Sequence, residues 1–392
     1  MENPCQAEPA GIYVHIPFCV WKCPYCDFYS ITDMSLKEAF LGALLDEMQI
    51  GKETGFFQKT RFSYDTLYIG GGTPSVLDAE QISRIIEAAC RSFQILSDAE
   101  ITIEVNPGTV TPEQLRGYRH AGVNRINIGV QSFQDANLKF LGRIHSAQNA
   151  HLAIRQARDA GFENLGLDLI YGIPGQSEKS WLADLHRAVA YRPEHLSCYM
   201  LTFESGTQMD DDRKKGRFCP ADEALTARLF ETTISFLEDH GYAQYEISNF
   251  ARSVSKRSRH NQKYWTDAPY RGLGPSAHSF AEARRCWNFR SVKKYVETLS
   301  TGKLPIEEKE TLTREQRILE TIYTGLRKTY GIDIDKFNKK FSTNFEEILG
   351  ERIMPLEEKG LIQRSQNRCF LSRRGMLFFD SIVSILVQEC KN

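Results

Sequence analysis

The chain has 392 residues, of which 41% are hydrophobic and 25% are charged, enough for two or three packed globular domains. Its 49 basic and 50 acidic residues balance, so the overall charge gives no reason to expect a nucleic-acid partner. No run approaches the roughly 18 apolar residues of a membrane span. The N-terminal MENPCQAEPAG has neither the basic nor the apolar region of a signal peptide, so we expect a cytoplasmic protein.

Short β-rich runs alternate with helical patterns over the first two hundred residues. Helical periodicity with suitable starts marks residues 36–50, the stretch from Asp78, Thr111 followed by Pro112, and residues 147–160. Gly122 and Gly161 follow two of these helices as left-handed caps. The alternation predicts a parallel sheet, in either an incomplete (β/α) barrel or an open doubly wound fold. The predicted strands are IYVHI (12–16), TLYIG (66–70), EITIEV (100–105), RINIGV (125–130), LGLDLIY (165–171) and LSCYML (196–201).

Chemically distinctive residues stand at the carboxyl ends of these predicted strands. Because those ends share one face of a parallel sheet, the residues predict a ligand site on that face. They are Cys19, Cys23 and Cys26 after the first strand, GGGTP (70–74) after the second, Glu104 and Asn106 at the third, Gln131 and Ser132 after the fourth, and Asp168 and Tyr171 at the fifth.

The chain after residue 202 shows two further patterns. Residues 203–218 are polar and are predicted as a loop, and a helix is predicted at 221–240. Helices at 313–328, 333–341 and 345–359, followed by a hairpin-like segment at 361–371, predict a winged-helix-like domain. We therefore expect domains at 1–202, 203–310 and 311–392. Nucleic acid is not expected, because such modules also serve as packing units and the charge is balanced.

The stretch CVWKCPYC (19–26) holds three cysteines with the spacing C-x3-C-x2-C. A [4Fe–4S] cluster with three cysteine ligands keeps one iron free for another ligand. The spacing alone also allows a zinc site whose fourth ligand lies elsewhere. The remaining cysteines are interpreted as inert thiols: Cys5, Cys90, Cys198, Cys219, Cys286, Cys369 and Cys390.

The stretch YVHIPFCVWKCPYCDF (13–28) resembles the signature of radical S-adenosylmethionine (SAM) enzymes, and GGGTP, IEVNP, GVQSF, LGRIH and LDLIYGIPGQ follow in the same order. The resemblance covers nearly the whole chain. It implies a partial (β/α)6 barrel with an α+β C-terminal extension, and a [4Fe–4S] cluster on Cys19, Cys23 and Cys26. His15 is interpreted as a hydrogen-bond donor behind the cluster loop. The residues implied to contact SAM are Tyr13, Tyr25, Gly71, Gly72, Thr73, Glu104, Gln131, Arg143 and Asp168.

Two features distinguish the branches of this superfamily. Oxygen-independent coproporphyrinogen III oxidases resemble the chain but carry C-x3-C-x2-C-x-C and a longer N-terminal arm, whereas Phe28 stands here at the fourth cysteine position. The stretch HNQKYW (260–265) is typical of HemW-type haem chaperones. The resemblance therefore favours a haem chaperone that cleaves SAM reductively. The alternatives are the porphyrinogen oxidase, a related radical SAM methyltransferase, and a zinc-stabilised binding module.

The haem chaperone resemblance implies particular partners. They are haem, haem-accepting proteins such as respiratory enzymes and an electron donor for the cluster, with a homodimer and delivery at the membrane surface as further expectations. His260 is the first candidate axial ligand of haem, and His278 is the second. A basic segment with only Asp267 and Glu282 as acidic residues is expected to face the porphyrin or an acidic partner. Its basic residues are Arg252, Lys256, Arg257, Arg259, Lys263, Arg271, Arg284, Arg285, Arg290, Lys293 and Lys294.

Overall fold

A computed structural model describes residues 8–53 and 62–387, so Cys5 and Cys390 lie outside the described residues. The strands are β1 Ala10–Ile16, β2 Ser63–Gly71, β3 Gln94–Val105, β4 Arg125–Gln131, β5 Leu165–Tyr171, β6 His195–Met200, β7 Ala243–Glu246, β8 Asn249–Ala251, β9 Tyr270–Leu273, β10 His278–Ala281, β11 Arg284–Asn288, β12 Ile306–Thr311, β13 Ile332–Asp333, β14 Ile362–Ser365 and β15 Arg368–Leu371. The helices are α1 Lys37–Glu53, α2 Ala79–Ser92, α3 Pro112–His120, α4 Asp135–Phe140, α5 Ala147–Asp159, α6 Glu178–Ala190, α7 Gln208–Lys214, α8 Glu223–Asp239, α9 Arg259–Thr266, α10 Val292–Ser300, α11 Arg314–Arg327, α12 Ile334–Phe341, α13 Phe345–Glu358, α14 Arg373–Leu377 and α15 Phe379–Val387.

Six parallel strands form the centre of the molecule in the order β1-β2-β3-β4-β5-β6. This sequential order is that of a (β/α) barrel, whereas a doubly wound sheet reverses its order part-way. All six predicted strands are confirmed. The register places Glu104 beside Asn127 and Asp168 beside Ser197, which brings polar side chains of adjacent strands together near the carboxyl ends.

Strands from residues 203–310 extend this sheet at both edges to twelve strands. β9 pairs with β1 in parallel, and β10, β11 and β12 follow it in antiparallel order. At the other edge β8 pairs with β6, and β7 pairs with β8. Within the described residues β1 therefore pairs with β2 and β9 and not with β6, so the six central strands do not close into a barrel.

The helix starts follow the sequence signals closely. Capping boxes open α2 at Asp78 and α3 at Thr111, and the side chain of each cap accepts a hydrogen bond from the backbone three residues on. Gly122 and Gly161 have φ of +104° and +87°, as left-handed caps require. The prediction of a loop over residues 203–218 is wrong where α7 forms. Thr207 caps this helix, and the ion pairs of Asp210 with Arg213 and Lys214 stabilise its polar sequence.

The C-terminal part has the order α11-β13-α12-α13-β14-β15, which is a winged-helix arrangement. The three predicted helices and the hairpin are confirmed. Three short elements were not predicted: β13 adds a third strand beside β15, α14 packs on α8 and β15, and α15 packs on α11 and α13. No helix among the described residues is long and apolar enough to cross a membrane.

Candidate functional site

A cavity of about 870 Å³ opens at the carboxyl ends of the central strands. Residues at or after the ends of all six central strands line it, as expected for a parallel α/β sheet. The sequence-predicted residues that line it are Tyr25, Cys26, Gly71, Gly72, Thr73, Glu104, Asn106, Gln131, Arg143, Asp168 and Tyr171.

The three cysteines lie on one loop after β1. Ile31 closes the base of this loop, because its carbonyl accepts from the Cys19 N–H at 3.0 Å and its N–H donates to the Pro17 carbonyl at 2.8 Å. Within the loop the Cys26 N–H donates to the Cys23 carbonyl at 3.1 Å. The backbone is therefore held at both ends of the cysteine run. Cys26 lines the cavity, and Cys19 and Cys23 lie next to the cavity residues Thr73 and Arg143.

Two donors reach the sulfur atoms from outside the cysteine loop, one from the GGGTP turn after β2 and one from the loop between α4 and α5. The Thr73 hydroxyl donates to Cys19 Sγ at 3.3 Å, and Arg143 Nη1 lies 3.5 Å from Cys23 Sγ and 3.3 Å from the Tyr25 hydroxyl. Such donors and a cation are typical of the surroundings of metal-binding cysteines.

The glycine motif permits close contact between β2 and the cysteine loop. A Cβ atom on Gly72 would lie 2.6 Å from the Phe18 carbonyl oxygen and 3.0 Å from Cys19 Sγ. Gly71 has φ of +111°, and a Cβ there would lie 2.7 Å from the His15 ring. Only glycine fits both positions, so the backbone of this motif is exposed to whatever occupies the cavity.

Carboxylates and amides form the polar wall of the cavity. Tyr68 donates to Glu104 Oε1 at 2.6 Å, and Asn127 Nδ2 donates to Asp168 Oδ2 at 2.5 Å. Burial raises the pKa of Glu104 to about 7, and burial also raises the pKa of Asp168. Among the described residues, Asn127 Oδ1, Asp168 Oδ1 and Arg143 Nε are buried without a hydrogen-bond partner. A bound polar molecule would satisfy them.

Gln131 at the end of β4 has a strained backbone. Its φ is +64°, in the left-handed region that few residues other than glycine adopt. The register with β5 shifts between Ile128 and Gln131, so the last residue of the strand turns out of the regular ladder. Such strain is typical of ligand sites.

Tyr13 and His15 lie behind the cysteine loop and outside the residues that line the cavity. The Tyr13 hydroxyl bonds to His15 Nδ1 at 3.0 Å, and His15 Nε2 donates to the Tyr29 carbonyl at 2.8 Å. Burial lowers the pKa of His15 to about 4, so the ring is neutral and links β1 to the end of the cysteine loop. The interpretation of His15 as a donor behind this loop agrees with these bonds.

The two histidines predicted as haem ligands lie in different surroundings. His260 is 1% exposed, and its two ring nitrogens bond to the hydroxyls of Thr66 and Tyr264 at 2.8 and 3.0 Å. Burial lowers its pKa to about 3. His278 is exposed and stacks on Trp287 with ring centroids 5.5 Å apart. Neither lines the cavity, and both stay predictions.

Several charges of the predicted basic segment are neutralised within the fold. Lys263 lies 2.6 Å from Asp65, which also pairs with Arg259 at 3.2 Å. Arg271 is buried and donates to the Gly51 carbonyl. Lys263 and Arg271 are therefore engaged within the fold, and contact of the other basic residues with a porphyrin or an acidic partner stays a prediction.

The C-terminal domain supplies cavity residues that the sequence reasoning missed. Tyr323 and Arg327 come from α11, Met376 comes from α14, and Phe379 and Asp380 come from α15. All five lie in the C-terminal domain, far along the chain from the predicted strands, and no local pattern indicated them.

Comparison with known proteins identifies the family. The radical SAM superfamily matches residues 13–188, and the HemN C-terminal domain matches residues 312–378. The protein named heme chaperone HemW from Bacillus subtilis (strain 168) is 35% identical over 382 residues, which cover 96% of this chain and 99% of that protein. The chain belongs to the HemW family of radical SAM proteins.

Further relatives agree with this HemW membership. Heme chaperone HemW from Escherichia coli (strain K12) is 39% identical over 70% of each chain. The structure of coproporphyrinogen III oxidase (HemN) from Escherichia coli, a radical SAM enzyme, superposes with a TM-score of 0.82 at 25% identity and covers 97% of this chain and 90% of that one. The predicted family and the predicted α/β fold are confirmed.

A radical SAM protein carries a [4Fe–4S] cluster and SAM, and the residues present fit both. Among the described residues, no three His, Cys, Asp or Glu side chains are grouped to hold a single metal ion. In a cluster, by contrast, each cysteine binds a different iron. The hydrogen-bond donors around Cys19 and Cys23 suit cluster sulfur ligands, and the unpartnered atoms of Asn127, Asp168 and Arg143 suit a polar cofactor such as SAM.

Proposed function

We propose that this chain is a haem chaperone, which binds haem and transfers it to haem-protein acceptors with its cluster and SAM assisting. The observation that carries the proposal is the similarity to a heme chaperone HemW over 99% of that protein's length. Phe28 supports it, because an exposed aromatic ring stands on the rim of the cavity at the fourth cysteine position of the oxidases.

In this proposal the large cavity is the cofactor site. Cys19, Cys23 and Cys26 hold the cluster, which supplies the electron for reductive SAM cleavage when both are bound. Arg143 provides positive charge for an anionic group, and the Gly71–Gly72 backbone allows a ligand to approach closely. Glu104 and Asp168 accept hydrogen bonds from hydroxyl or ammonium groups.

The second candidate function is oxygen-independent coproporphyrinogen III oxidation. The favouring observation is the TM-score of 0.82 to HemN, which means that the two proteins share the fold. A shared fold does not by itself fix the reaction. The family relationship to HemW proteins therefore carries more weight.

The finer parts of the proposal concern the partners. We infer that the acceptors include respiratory haem proteins, that a separate protein reduces the cluster, and that delivery takes place at a membrane surface. Assembly of two copies of the chain belongs to the same proposal. His260 and His278 remain the axial ligands predicted from the sequence.

The test of the function compares two substrates. The protein is reconstituted anaerobically with iron and sulfide, then incubated with SAM, a reductant and either haem or coproporphyrinogen III. We expect tight haem binding, and no decarboxylated porphyrinogen in the product analysis. Formation of protoporphyrinogen would overturn the proposal in favour of the oxidase.

A matched variant separates the cluster from haem binding. In Cys23→Ser, one ligand of the cluster is lost while the sheet and its edges are unchanged. We expect the variant to bind haem with unaltered affinity but to transfer it to a purified apo-haem protein more slowly. Equal transfer rates would show that the cluster has no part in delivery.

A further inference from the structure

The loop that carries the cysteines exposes two large apolar side chains. Val20 is 56% exposed and Trp21 is 59% exposed, and neither lines the large cavity. Trp21 stands two residues from both Cys19 and Cys23, so its Cα atom lies within about 7 Å of the Cα atom of each. The other tryptophans of the chain are buried or half-buried, so an exposed indole ring is a particular feature of this loop.

Hydrogen bonds connect this exposed pair to a distant segment of the chain. Lys22 follows Trp21 directly, and its Nζ donates to the Phe28 carbonyl at 3.2 Å. Arg290 Nη2 donates to the Asp27 carbonyl at 3.3 Å, although 263 residues separate the two in the chain. The residues just before α10 therefore lie beside the end of the cysteine loop.

Positive charge is concentrated in residues 19–33 and 290–294, which meet at this place. Their exposed cations are Lys22, Arg290, Lys293 and Lys294. Among the residues that the structure describes, none of these four side chains forms an ion pair. The carboxylates of the same two stretches are Asp27 and Asp33, and Glu297 lies one turn further along α10. Because the cations outnumber the carboxylates, the surface suits a partner with acidic side chains.

We propose that this cysteine-loop surface docks a small acidic protein that carries single electrons. The inference rests on the proposed function, because it identifies where the separate protein that reduces the cluster binds. In the complex one electron passes from the reduced cofactor of the carrier to the cluster, and no bond forms or breaks. The cations steer the carrier, and the Trp21 ring packs against it. The surface consists of Val20, Trp21, Lys22, Arg290, Lys293 and Lys294.

The position of the surface suits electron transfer. Transfer requires close approach of the two cofactors, and the exposed Trp21 ring stands between two cysteines of the cluster loop. Complexes of electron-transfer proteins bury little area, so a pair of apolar side chains within a set of cations is sufficient for short-lived docking. Because Val20 and Trp21 lie outside the residues that line the large cavity, the carrier leaves the cofactor site free.

The test measures docking and cluster reduction separately. The probe is a purified flavodoxin of strongly negative net charge, mixed anaerobically with the full-length, reconstituted protein. We expect titration calorimetry to show binding that weakens with added salt. In Lys293→Glu combined with Lys294→Glu the affinity should fall at least about tenfold, because two attractions become repulsions. Arg84→Glu combined with Arg155→Glu, on the outer helices α2 and α5, changes the net charge equally and should bind like the wild type.

Stopped-flow absorbance gives the second measurement. Reduction of the cluster by limiting flavodoxin should slow in the Lys293→Glu and Lys294→Glu double variant, whereas dithionite, which needs no docking, should reduce the variant and the wild type at equal rates. Trp21→Ala should also weaken flavodoxin binding, and Leu152→Ala, which truncates an exposed side chain of α5, should not. Should Trp21→Ala not hold the cluster, Val20→Ala replaces it with the same expectation.

A parallel haem titration separates this inference from the proposed function. A wild type that binds haem but no flavodoxin, or a double variant with unchanged flavodoxin affinity, overturns the docking surface and leaves the proposed function standing. If the double variant loses haem affinity in place of flavodoxin affinity, the cations belong to haem and the inference is likewise wrong. A wild type that binds flavodoxin at this surface but no haem supports the docking surface and contradicts the proposed function.

Discussion

Single residues in the cofactor site act through steric fit as much as through chemistry. Gly72 and Cys19 come from different strand ends, and a Cβ on Gly72 would lie 3.0 Å from the sulfur atom. The Thr73 hydroxyl then donates to the same sulfur at 3.3 Å. The GGGTP motif therefore exposes backbone to the cavity and also fixes a cysteine of the cluster loop.

This fit predicts the effect of Gly72→Ala. The new Cβ would collide with the Phe18 carbonyl and crowd Cys19, so the cysteine loop must move away from β2. We expect iron and sulfide content after anaerobic reconstitution to fall to less than half of the wild-type value. Iron and sulfide assays on the reconstituted protein give the measurement.

The control for Gly72→Ala is Gly42→Ala in α1. A Cβ there has no neighbour within 4 Å, and alanine favours a helix by about 1 kcal/mol over glycine. We expect full cluster content in this control. A Gly72→Ala variant with the wild-type iron and sulfide content would mean that the cysteine loop tolerates the shift.

Helix α9 shows how one element is held by another. Glu100 of β3 is 6% exposed, and its two carboxylate oxygens accept from the backbone N–H groups of Arg259 and His260, both at 3.2 Å. These N–H groups belong to the first turn, where a carboxylate also interacts favourably with the helix dipole. The central sheet thus sets the position of the HNQKYW stretch.

Glu100→Ala is therefore expected to destabilise the protein. Removing the carboxylate leaves two N–H groups in a buried place without an acceptor, which lowers the free energy of unfolding by about 1–3 kcal/mol. Urea denaturation followed by circular dichroism measures the change. Glu113→Ala, which removes an exposed carboxylate in the first turn of α3, serves as the comparison and should cost clearly less. Equal losses in the two variants would contradict the capping role.

At the scale of the whole molecule, the C-terminal domain forms part of the wall of the large cavity. Arg327 of α11 pairs with Glu246 of β7 at 2.7 Å, and the two side chains are 19% and 0% exposed. The guanidinium also lies 4.6 Å from the centre of the Trp265 ring of α9. This buried pair connects the winged-helix-like domain to the edge of the central sheet and to the HNQKYW helix.

Arg327→Ala should weaken the contact between the C-terminal domain and the central sheet. Breaking a buried pair leaves Glu246 without its counter-charge, and we expect a loss of about 3 kcal/mol in the free energy of unfolding. In Arg327→Ala combined with Glu246→Gln, part of this loss should return, because no carboxylate is then buried alone. Arg91→Ala, which removes an exposed pair with Glu87, should cost less than about 1 kcal/mol. A double variant no more stable than Arg327→Ala would contradict the unpaired charge as the cause.

Local patterns were enough to determine much of this protein. The alternation of strands and helices, the caps at Asp78 and Thr111 and the winged-helix order all depend on residues close together in the chain, so the sequence predicts them. The cysteine spacing and the ordered motifs likewise indicated the radical SAM family and the residues of the cofactor cavity, because the carboxyl ends of parallel strands must share a face.

The tertiary structure alone decided which distant surfaces meet. It placed β9 beside β1, buried His260 between Thr66 and Tyr264, and brought Tyr323 and Arg327 to the large cavity. A periodic pattern records that a side chain is buried or exposed, but not which partner buries it. That partner is chosen by the packing of the whole chain, which is why the contribution of the C-terminal domain to the large cavity appears only in the folded molecule.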